Sequence, residues 1–474
     1  RNILHNALVK QHQKIRHQKV HKQIELLKKE NAYTVTTGHQ LSIYTGPLFF
    51  IYKILQTIKL ADELNTKFTD KYFTPVFWMA SEDHDIAEID HLYLYGKKLS
   101  WQHHGSGAAG KLKTNTLHEL TAEIKNICGE NPYTDKVLNM FNECYNEHHT
   151  LAEATRLLVY TLFADKGIVV IDADDTELKK LLIPVLQQEV NTSFIKQEVD
   201  KTNSYLEEKK YKAQVNPREY NFFYLQENYR ERIIKENNIF YTNDKKHGWS
   251  KEELLTNIYL NPEQISPNVL MRPLYQETIL PNVAYIGGAG EISYWLQLKN
   301  VFTTCHLTLP VLLVRNSFIL IDSNTQKKIE KTGFEPNDYL KEYNELASAY
   351  IEKHNTELFD LDAETKSMDA FFNALKKKSL AFDPSLNTYI EAEKAKTEKF
   401  LENLTHKVKR AQKQKHESAL NQIKSVKEKL LPENTLAERK ENFIPYYTQA
   451  GDKFLETIYQ NIEPIKARLN IVHV

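Results

Sequence analysis

The sequence has no net charge and no long apolar run, and each absence excludes a class of protein. Its 62 basic residues balance its 62 acidic residues, so it lacks the basic surface that general nucleic-acid binding requires. No apolar run approaches the roughly 18–20 residues of a membrane-spanning helix. We therefore expect a protein that binds neither nucleic acid nor a membrane.

Cysteine is also scarce. The three cysteines, Cys128, Cys144 and Cys305, show no spacing typical of a disulfide framework or a metal site, which favours a reducing compartment over secretion. The basic stretch 1–29 is followed by no apolar segment and does not have the pattern of a signal peptide. We predict a soluble cytoplasmic protein.

The apolar residues, 41% of the chain, alternate between short strand-like runs and helical repeats. Tyr33–Thr37, Phe73–Ala80 and Gly167–Asp172 are rich in β-branched or apolar residues, as buried parallel strands are. After the first of these runs, Pro47 opens an amphipathic helix that extends to about Leu64, and proline is well tolerated in a first helical turn. This alternation predicts an α/β core.

Two stretches interrupt the alternation, and the chain after residue 324 changes character. Of only 14 glycines, five lie between Gly96 and Gly129, whereas residues 192–264 are polar and rich in Tyr and Asn. Beyond 324 we find no strand pattern and many Lys and Glu residues. The predicted organisation is core 1–95, first insertion 96–150, core 151–191, second insertion 192–264, core 265–324, helical coiled coil 325–432 and a tail 433–474 that docks on the core.

The coiled-coil prediction depends on one long helix. It begins at Asp383-Pro384 and runs without a breaker to Pro432, a length on the order of 70 Å. Its apolar seam repeats every 3.5 residues and slips near Lys415. So narrow a stripe needs a partner helix, which is either Asn337–Lys353 or a helix of another subunit.

The loop after the first strand is the first candidate site. Gly38-His39-Gln40 and Gly46 lie between a strand and a helix, where free backbone N–H groups and the helix dipole favour anions. His39 could stabilise a transferring phosphoryl group and Gln40 could orient it, with Lys53 as a less certain participant. Alternatively, Gly38 serves a tight turn and His39 merely caps the helix.

The segment after the second strand is unusually rich in ionisable residues. These residues are Glu82, Asp83, His84, Asp85, Glu88, Asp90 and His91. They could bind an amine or hydroxyl groups, or act as general acid and base, although acidic residues also suit a helix start without any function. If a helix begins here, His84, Glu88 and His91 share one face, which is the pattern that a metal site would need.

A third cluster lies between a strand and a helix near residue 290. Gly287, Gly288 and Gly290 precede Glu291 and allow a ligand to approach the backbone closely, but they match neither the dinucleotide nor the P-loop motif. Arg272 and Arg315 could each bind an anion bidentately, or they could be structural. Tyr294 and Trp295 are either core residues or a stacking platform.

Together these segments resemble the bacillithiol biosynthesis cysteine-adding enzymes, a family of cysteine ligases. The resemblance rests on Thr-Gly-His-Gln-Leu-Ser-Ile-Tyr-Thr-Gly-Pro-Leu (37–48), Pro-Val-Phe-Trp-Met-Ala-Ser-Glu-Asp-His-Asp (75–85), Ile-Ser-Pro-Asn-Val-Leu-Met-Arg-Pro (265–273) and Ile-Gly-Gly-Ala-Gly-Glu-Ile-Ser-Tyr-Trp (286–295). It implies a Rossmann-like parallel sheet similar to class I nucleotidyltransferases, two inserted segments, and a C-terminal coiled coil that forms a homodimer.

The resemblance also implies an activity, the addition of L-cysteine to the amine of glucosaminyl-malate. Because an amide does not form spontaneously from a free carboxylate in water, ATP or another nucleotide would activate the carboxylate, with Mg²⁺ as an optional ion and no metal bound by the protein itself. Two other functions stay open: a metal-dependent amidohydrolase acting on a sugar amide, and a non-catalytic coiled-coil scaffold with a ligand-sensing core.

Under this hypothesis we assign a role to each site residue, and for Gly38, His39 and Gln40 the resemblance places them where class I enzymes carry the histidine motif that supports ATP phosphates. The catalytic residues would be His39, Asp83 and His84. Substrate would be bound by Gln40, Trp78, Glu82, Asp85, Glu88, Arg272, Gln276, Tyr294 and Arg315. The nucleotide would be bound by Gly38, Gly46, Gly287, Gly288, Gly290 and Glu291. These roles require that three segments distant in sequence, 38–40, 82–85 and 287–291, border one pocket.

Overall fold

The computed structural model describes residues 1–103, 105–146, 148–354 and 360–474. The strands are β1 (Ala32–His39), β2 (Tyr72–Met79), β3 (His91–Leu94), β4 (Lys97–Ser100), β5 (Val169–Asp172), β6 (Phe222–Gln226), β7 (Tyr229–Glu236), β8 (Ile239–Thr242), β9 (Gly248–Trp249), β10 (Ile265–Pro267), β11 (Asn282–Gly287), β12 (Val311–Val314), β13 (Ser317–Ile321) and β14 (Leu469–His473).

The helices of the described residues are α1 (Asn2–Gln11), α2 (Gln18–Leu26), α3 (Phe49–Lys67), α4 (His118–Cys128), α5 (Pro132–Cys144), α6 (Leu151–Phe163), α7 (Thr176–Lys179), α8 (Ile183–Thr192), α9 (Phe194–Glu208), α10 (Lys251–Leu260), α11 (Arg272–Ile279), α12 (Ala289–Gln297), α13 (Lys299–Thr304), α14 (Ser323–Thr332), α15 (Tyr343–His354), α16 (Asp362–Ser379), α17 (Leu386–Lys415), α18 (Glu417–Leu430), α19 (Ile444–Ala450) and α20 (Asp452–Asn461).

A five-stranded parallel sheet with the order β12-β11-β1-β2-β5 forms the core. Strand β2 is apolar and buried along nearly its whole length, as expected for a strand covered on both faces. Helix α3 connects β1 to β2 and packs against both. The predicted α/β, Rossmann-like core is confirmed.

The two interrupting stretches form structures of their own. The first contains the β3–β4 hairpin, which begins at His91 rather than at residue 96, followed by α4 and α5. The second contains an antiparallel sheet with the order β10-β6-β7-β8-β9. Its strand β10 pairs with β6, so this sheet extends to Pro267, beyond the predicted boundary at 264.

The described residues divide into two compact units. The first comprises Arg1–Ile319 and Glu438–Val472, with Val474, and the second comprises Leu320–Ala437, with His473. The C-terminal segment that we predicted to return to the core lies in the first unit. There the Asn442 side-chain amide donates to the carbonyl oxygen of Gly46 at 2.6 Å.

In the second unit the predicted long helix is not continuous. It breaks at His416 into α17 and α18, next to the slip of the apolar seam near Lys415. Helix α16 packs along α17, whereas α15, which lies within the predicted partner segment, packs against α18. The expectation of one uninterrupted helix is wrong because the two halves face different partners, but the helical coiled-coil character is confirmed.

Among the described residues, no helix combines the length and the apolar character that a membrane crossing would require.

Candidate active site

Adjacent strands bring the three predicted segments to one edge of the parallel sheet. Within the sheet, Gly38 is paired with Trp78 on β2, and Thr37 is paired with Ile286 on β11. The loops that follow β1, β2 and β11 therefore leave the sheet side by side, at the carboxyl ends of the strands where ligands bind in open α/β sheets.

Gln40 connects the first loop to the second. Its side-chain amide nitrogen donates to Asp83 Oδ2 at 2.8 Å and to Glu88 Oε2 at 2.7 Å. Burial alone would raise the pKa of Asp83, but hydrogen bonds from Gln40 and from residues 84 and 85 outweigh it, so this pKa lies well below its usual value. Asp83 is therefore a carboxylate anion at the edge of the sheet.

Lys53 connects the first loop to the third. Its buried ammonium group donates to the carbonyl oxygen of Gly38 and to Glu291 Oε2, the latter at 2.8 Å. The other carboxylate oxygen of Glu291 accepts a hydrogen bond from Tyr285. Burial would raise the pKa of Glu291, but Lys53 and Arg272 lower it below its ordinary value, so Lys53 and Glu291 form a charged pair beneath the site.

The imidazole of His39 lies beside Phe49 and Phe50, with ring centroids 5.3 and 5.2 Å away. Burial, reinforced by the charge of Lys53, lowers the pKa of His39 to about 4, so the ring is neutral at pH 7. Its Nδ1 lies 2.8 Å from the carbonyl oxygen of Gln40, and because a carbonyl only accepts, Nδ1 carries the hydrogen. Nε2 of His39 is then an acceptor, and the neutral ring carries no positive charge with which to stabilise a transferring phosphoryl group.

A residue that our sequence analysis missed, Arg230, reaches this edge from β7 in the second insertion. Its Nη1 lies 2.6 Å from His84 Nδ1, and its guanidinium carbon lies 3.8 Å above the ring of Phe223. It also donates to Ser266 Oγ at 3.0 Å and to the carbonyl oxygen of Pro267 at 3.2 Å. Nothing in the charged sequence of β7 distinguishes Arg230 from its neighbours.

Glu82 is buried rather than directed to a substrate. Its Oε1 lies 2.6 Å from the ammonium group of Lys179, which also contacts Asp174 Oδ1 at 2.7 Å. Burial raises the pKa of Glu82, although Lys179 opposes this effect. The predicted substrate-binding role of Glu82 is replaced by a structural one, whereas Asp85, three positions later in the same segment, is exposed.

Two further predicted substrate-binding residues belong to the protein interior. Trp78 is 2% exposed and packs edge-on against Tyr275 with ring centroids 5.5 Å apart. Arg315 is buried and pairs with the buried carboxylate of Glu438 at 2.6 Å. Trp78 is therefore a core side chain, and Arg315 has the structural role that a strand-end arginine often has.

Gly46 also has a structural role. It follows Tyr44 and Thr45, and all three residues have positive φ angles, of 62°, 49° and 73° respectively. A Cβ atom at Gly46 would lie 2.5 Å from Ser42 Cβ, so only glycine fits this turn. The buried position of Gly46 gives it no direct access to a nucleotide.

Arg272 keeps a place at the site. Its Nη1 donates to Gln276 Oε1 at 3.1 Å and its Nη2 lies 3.4 Å from the Tyr285 hydroxyl group. Among the described residues, Arg272 forms no ion pair with a carboxylate, and Tyr294 lies beside it. Gln276, which is fully buried, positions Arg272 rather than facing a substrate.

The glycines of the third segment surround the start of α12. A Cβ atom on Gly287 would lie 3.0 Å from Glu291 Oε2, whereas one on Gly288 would meet no atom within 4 Å. Gly287 thus permits the close approach of Glu291, whose carboxylate accepts the backbone N–H of Gly288 at 3.3 Å. Open space lies in front of Gly288 at the positive end of the α12 dipole.

The helix that would place His84, Glu88 and His91 on one face, the arrangement needed by the alternative metal-dependent function, does not form. Ile86–Glu88 is a single 3-10 turn, and His91 begins strand β3 and pairs with Asp90 at 2.9 Å. His84, Glu88 and His91 therefore do not share a helix face. In the described part of the chain, no group of three or more His, Cys, Asp or Glu side chains is arranged to hold a metal ion.

Comparison with known proteins gives matches along the whole chain. Residues 1–316 match the family model described as bacillithiol biosynthesis BshC, N-terminal Rossmann-like domain, and residues 318–474 match its C-terminal coiled-coil domain. A Flavobacterium johnsoniae protein named "Putative cysteine ligase BshC" is 39% identical over 100% of this chain and 89% of its own length. Proteins of the same name from Flavobacterium psychrophilum (38%, 100% of this chain and 89% of the relative) and Cytophaga hutchinsonii (38%, 94% and 84%) are similar. The similarity to class I nucleotidyltransferases stays a prediction.

Proposed function

The chain belongs to the bacillithiol biosynthesis BshC family, and from this premise we propose that it joins the carboxyl group of cysteine to the amino group of glucosaminyl-malate. The observation that carries the proposal is the bridge from Gln40 to Asp83 and Glu88 at the carboxyl end of the sheet. Two carboxylates held by one neutral amide retain the negative charge needed to bind an amine and sugar hydroxyl groups.

The amine-bearing substrate would lie against Gln40, Asp83 and Glu88. A substrate ammonium group beside Asp83 gains a charge-assisted hydrogen bond, and Asp85 adds negative charge at the rim. Asp83 and His84 are the two candidates for taking the proton that the amine must lose before it attacks.

The malyl carboxylates of the same substrate would bind Arg272. Its guanidinium is held by neutral oxygens of Gln276 and Tyr285 rather than by a carboxylate, so its charge is available to an anion. The planar fork of an arginine suits two carboxylate oxygens at once, and Tyr294 would provide a wall beside it.

The carboxylate of cysteine needs activation, which we assign to ATP or a related nucleotide. An oxygen of the carboxylate attacks phosphorus and releases either pyrophosphate or a nucleoside diphosphate. The amine then attacks the carbonyl carbon, so that the C–N bond forms while the bond to the phosphoryl oxygen breaks and the amine proton leaves. Phosphate oxygens would bind in the open space in front of Gly288 at the start of α12, beside the Glu291 carboxylate that accepts the N–H of Gly288, and the neutral His39 ring borders the same edge. Any Mg²⁺ would be held by those phosphates.

The direct test is an assay with purified protein, cysteine, glucosaminyl-malate and ATP, with the product identified by mass spectrometry. The ratio of AMP to ADP formed distinguishes the two modes of activation. We expect the double variant His39→Ala, Asp83→Ala to lose product formation, whereas Glu123→Gln, on an exposed ion pair with Lys97, should retain it. Full product formation by the double variant would refute the residue assignment.

We further propose that the helices of the second unit form a homodimer. Helices α16 and α17 expose large aromatic side chains, including Phe371, Tyr389 and Phe400, and α16 buries none of its residues. Light scattering after size-exclusion chromatography should give twice the chain mass of 55.4 kDa. Replacement of Phe400 by Glu should shift the mass toward the monomer, and an unchanged monomeric mass for both proteins would contradict the proposal.

A further inference from the structure

Hydrogen bonds and an aromatic ring hold the Arg230 side chain in place. Its Nε donates to Ser266 Oγ at 3.0 Å, its Nη2 donates to the carbonyl oxygen of Pro267 at 3.2 Å, and its plane lies over Phe223. Among the described residues, Arg230 forms no ion pair with a carboxylate, and its hydrogen-bond partners are Ser266, Pro267 and His84. An arginine held by neutral acceptors and an aromatic face is pre-organised to direct an N–H group of its Nη1 at one target.

That target is the ring of His84. A guanidinium can only donate, so Nδ1 of His84, 2.6 Å from Arg230 Nη1, must be the acceptor and carries no hydrogen. The other charged group facing the ring is Asp83, whose Oδ1 lies 3.7 Å from the same Nδ1 and accepts instead from the backbone N–H of His84 at 2.7 Å. The ring therefore carries its hydrogen on Nε2.

Nε2 of His84 is available to a ligand. The side chain is 45% exposed, and within the described part of the chain Nε2 has no hydrogen-bond partner. We propose that Arg230 is a positioning residue that keeps His84 as a hydrogen-bond donor, through Nε2–H, to an oxygen of the bound substrate. This proposal rests on the proposed ligase function and deepens it.

The proposal assigns different tasks to the two candidates for proton transfer. A donor at Nε2 stabilises negative charge that develops on the carbonyl oxygen of the activated cysteine when the amine attacks. The same nitrogen has no free lone pair for the proton that the amine loses. His84 is then the electrostatic partner of the reaction rather than its base, and Asp83, whose pKa is held low, binds the substrate ammonium group through its charge.

The first test measures the ring hydrogen directly. Two-bond ¹H–¹⁵N spectra of protein labelled at histidine, with the His84 signals assigned from their loss in His84→Gln, report which ring nitrogen is protonated. We expect wild-type His84 to be fixed as the Nε2–H form, Arg230→Met to show a mixture of both forms, and Arg232→Met, on the same strand, to match wild type. Protonation of Nδ1 in the wild-type protein would overturn the proposal.

The second test separates a donor from a base. The side-chain amide of Gln places an N–H group close to the position of a histidine Nε2 but cannot accept a proton, whereas Ala supplies neither. We expect His84→Gln to keep kcat within about tenfold of wild type, while His84→Ala loses about a hundredfold, near the effect of removing one oxyanion donor. Equal losses in both variants would indicate a base and refute the proposal.

Arg230 itself completes the design. Arg230→Met should lower kcat with little change in KM for cysteine, and Arg230→Lys, which keeps one donor but not the fork, should recover part of the loss. If the wild-type protein forms no product at all, the proposed function fails, but the spectra still decide whether Arg230 fixes the hydrogen of His84. A fixed Nε2–H form in Arg230→Met would contradict the positioning role even in a fully active enzyme.

Discussion

The side chain of Gln40 offers a quantitative test of the candidate site, because it joins two segments that are far apart in sequence. In the variant Gln40→Ala, Asp83 and Glu88 lose donors at 2.8 and 2.7 Å. A hydrogen bond to a charged group contributes about 1.5–3 kcal/mol. Asp83 keeps its backbone donors, and Glu88 is exposed. We therefore expect Gln40→Ala to lower the free energy of unfolding by about 1.5 kcal/mol, the lower limit of this range.

A double-mutant cycle isolates the contact itself. Gln40→Ala and Asp83→Asn should each reduce stability, and the double variant should be more stable than the sum of the single effects predicts, with a coupling energy of about 1 kcal/mol. Urea unfolding monitored by fluorescence gives the four free energies, and kcat/KM gives a parallel set. The same cycle with Glu123→Gln, which shares no contact with Gln40, is the control.

Additivity would refute the reasoning. If Gln40→Ala and Asp83→Asn combine within about 0.3 kcal/mol in both measurements, the two segments do not meet in the protein. The single pocket, on which the proposed function depends, would then be lost.

Three further predictions concern buried ionisable side chains. Lys53→Met should lower stability by about 3 kcal/mol, because it leaves the Glu291 carboxylate buried without its partner, and adding Glu291→Gln should recover most of the loss in urea unfolding. Arg315→Met should destabilise to a similar degree by orphaning Glu438, while KM for both substrates stays unchanged in the remaining folded enzyme; a large rise in KM would contradict its structural role. Because the pKa of His39 is about 4 in the folded protein and near 6.5 in the unfolded chain, the unfolded chain binds more protons between these values, so stability falls as the pH drops from 6.5 to 4. Replacing His39 by Gln should make this fall in the free energy of unfolding smaller by about 2 kcal/mol, as measured by urea unfolding at a series of pH values. The same pH dependence in the variant and the wild-type protein would show that the ring is not buried.

The fold was predictable because its strands carry a local signal. Tyr72–Met79 is apolar along nearly its whole length, as strands covered on both faces are. The polar residues directly after the strands were predictable for the same reason, since parallel strands end together at one edge. The break at His416 left only a faint signal, a slip in the apolar seam, because no Gly or Pro marks it.

The partners of individual charges were not predictable. Arg230 of the second insertion contacts His84, 146 positions away, and Lys179, in a helix that follows β5, contacts Glu82, so both pairings depend on how elements distant in sequence meet at the sheet. The spacing of residues along the sequence indicates which of them share a face of one helix or strand, but it contains no information on contacts between distant elements. For the same reason the prediction for Glu82 was wrong: its charge suggested a ligand site, while its burial beside Lys179 made it structural.

The buried cationic side chains of the first unit fall into two groups, those in contact with a carboxylate of the protein and those that are not. Lys53, Lys179 and Arg315 are buried, and each has a carboxylate of the protein within 3 Å, which compensates for the cost of removing its charge from water. Arg230 and Arg272 are held by neutral oxygens, a ring nitrogen and aromatic faces, and among the described residues neither forms an ion pair. Neither guanidinium is in direct contact with a carboxylate, although Asp83 acts on Arg230 and Glu291 acts on Arg272 through space, so an anion that binds beside either one gains a charge-assisted hydrogen bond. These two arginines, rather than the paired cations, are therefore the positions where an anionic substrate gains most from the protein.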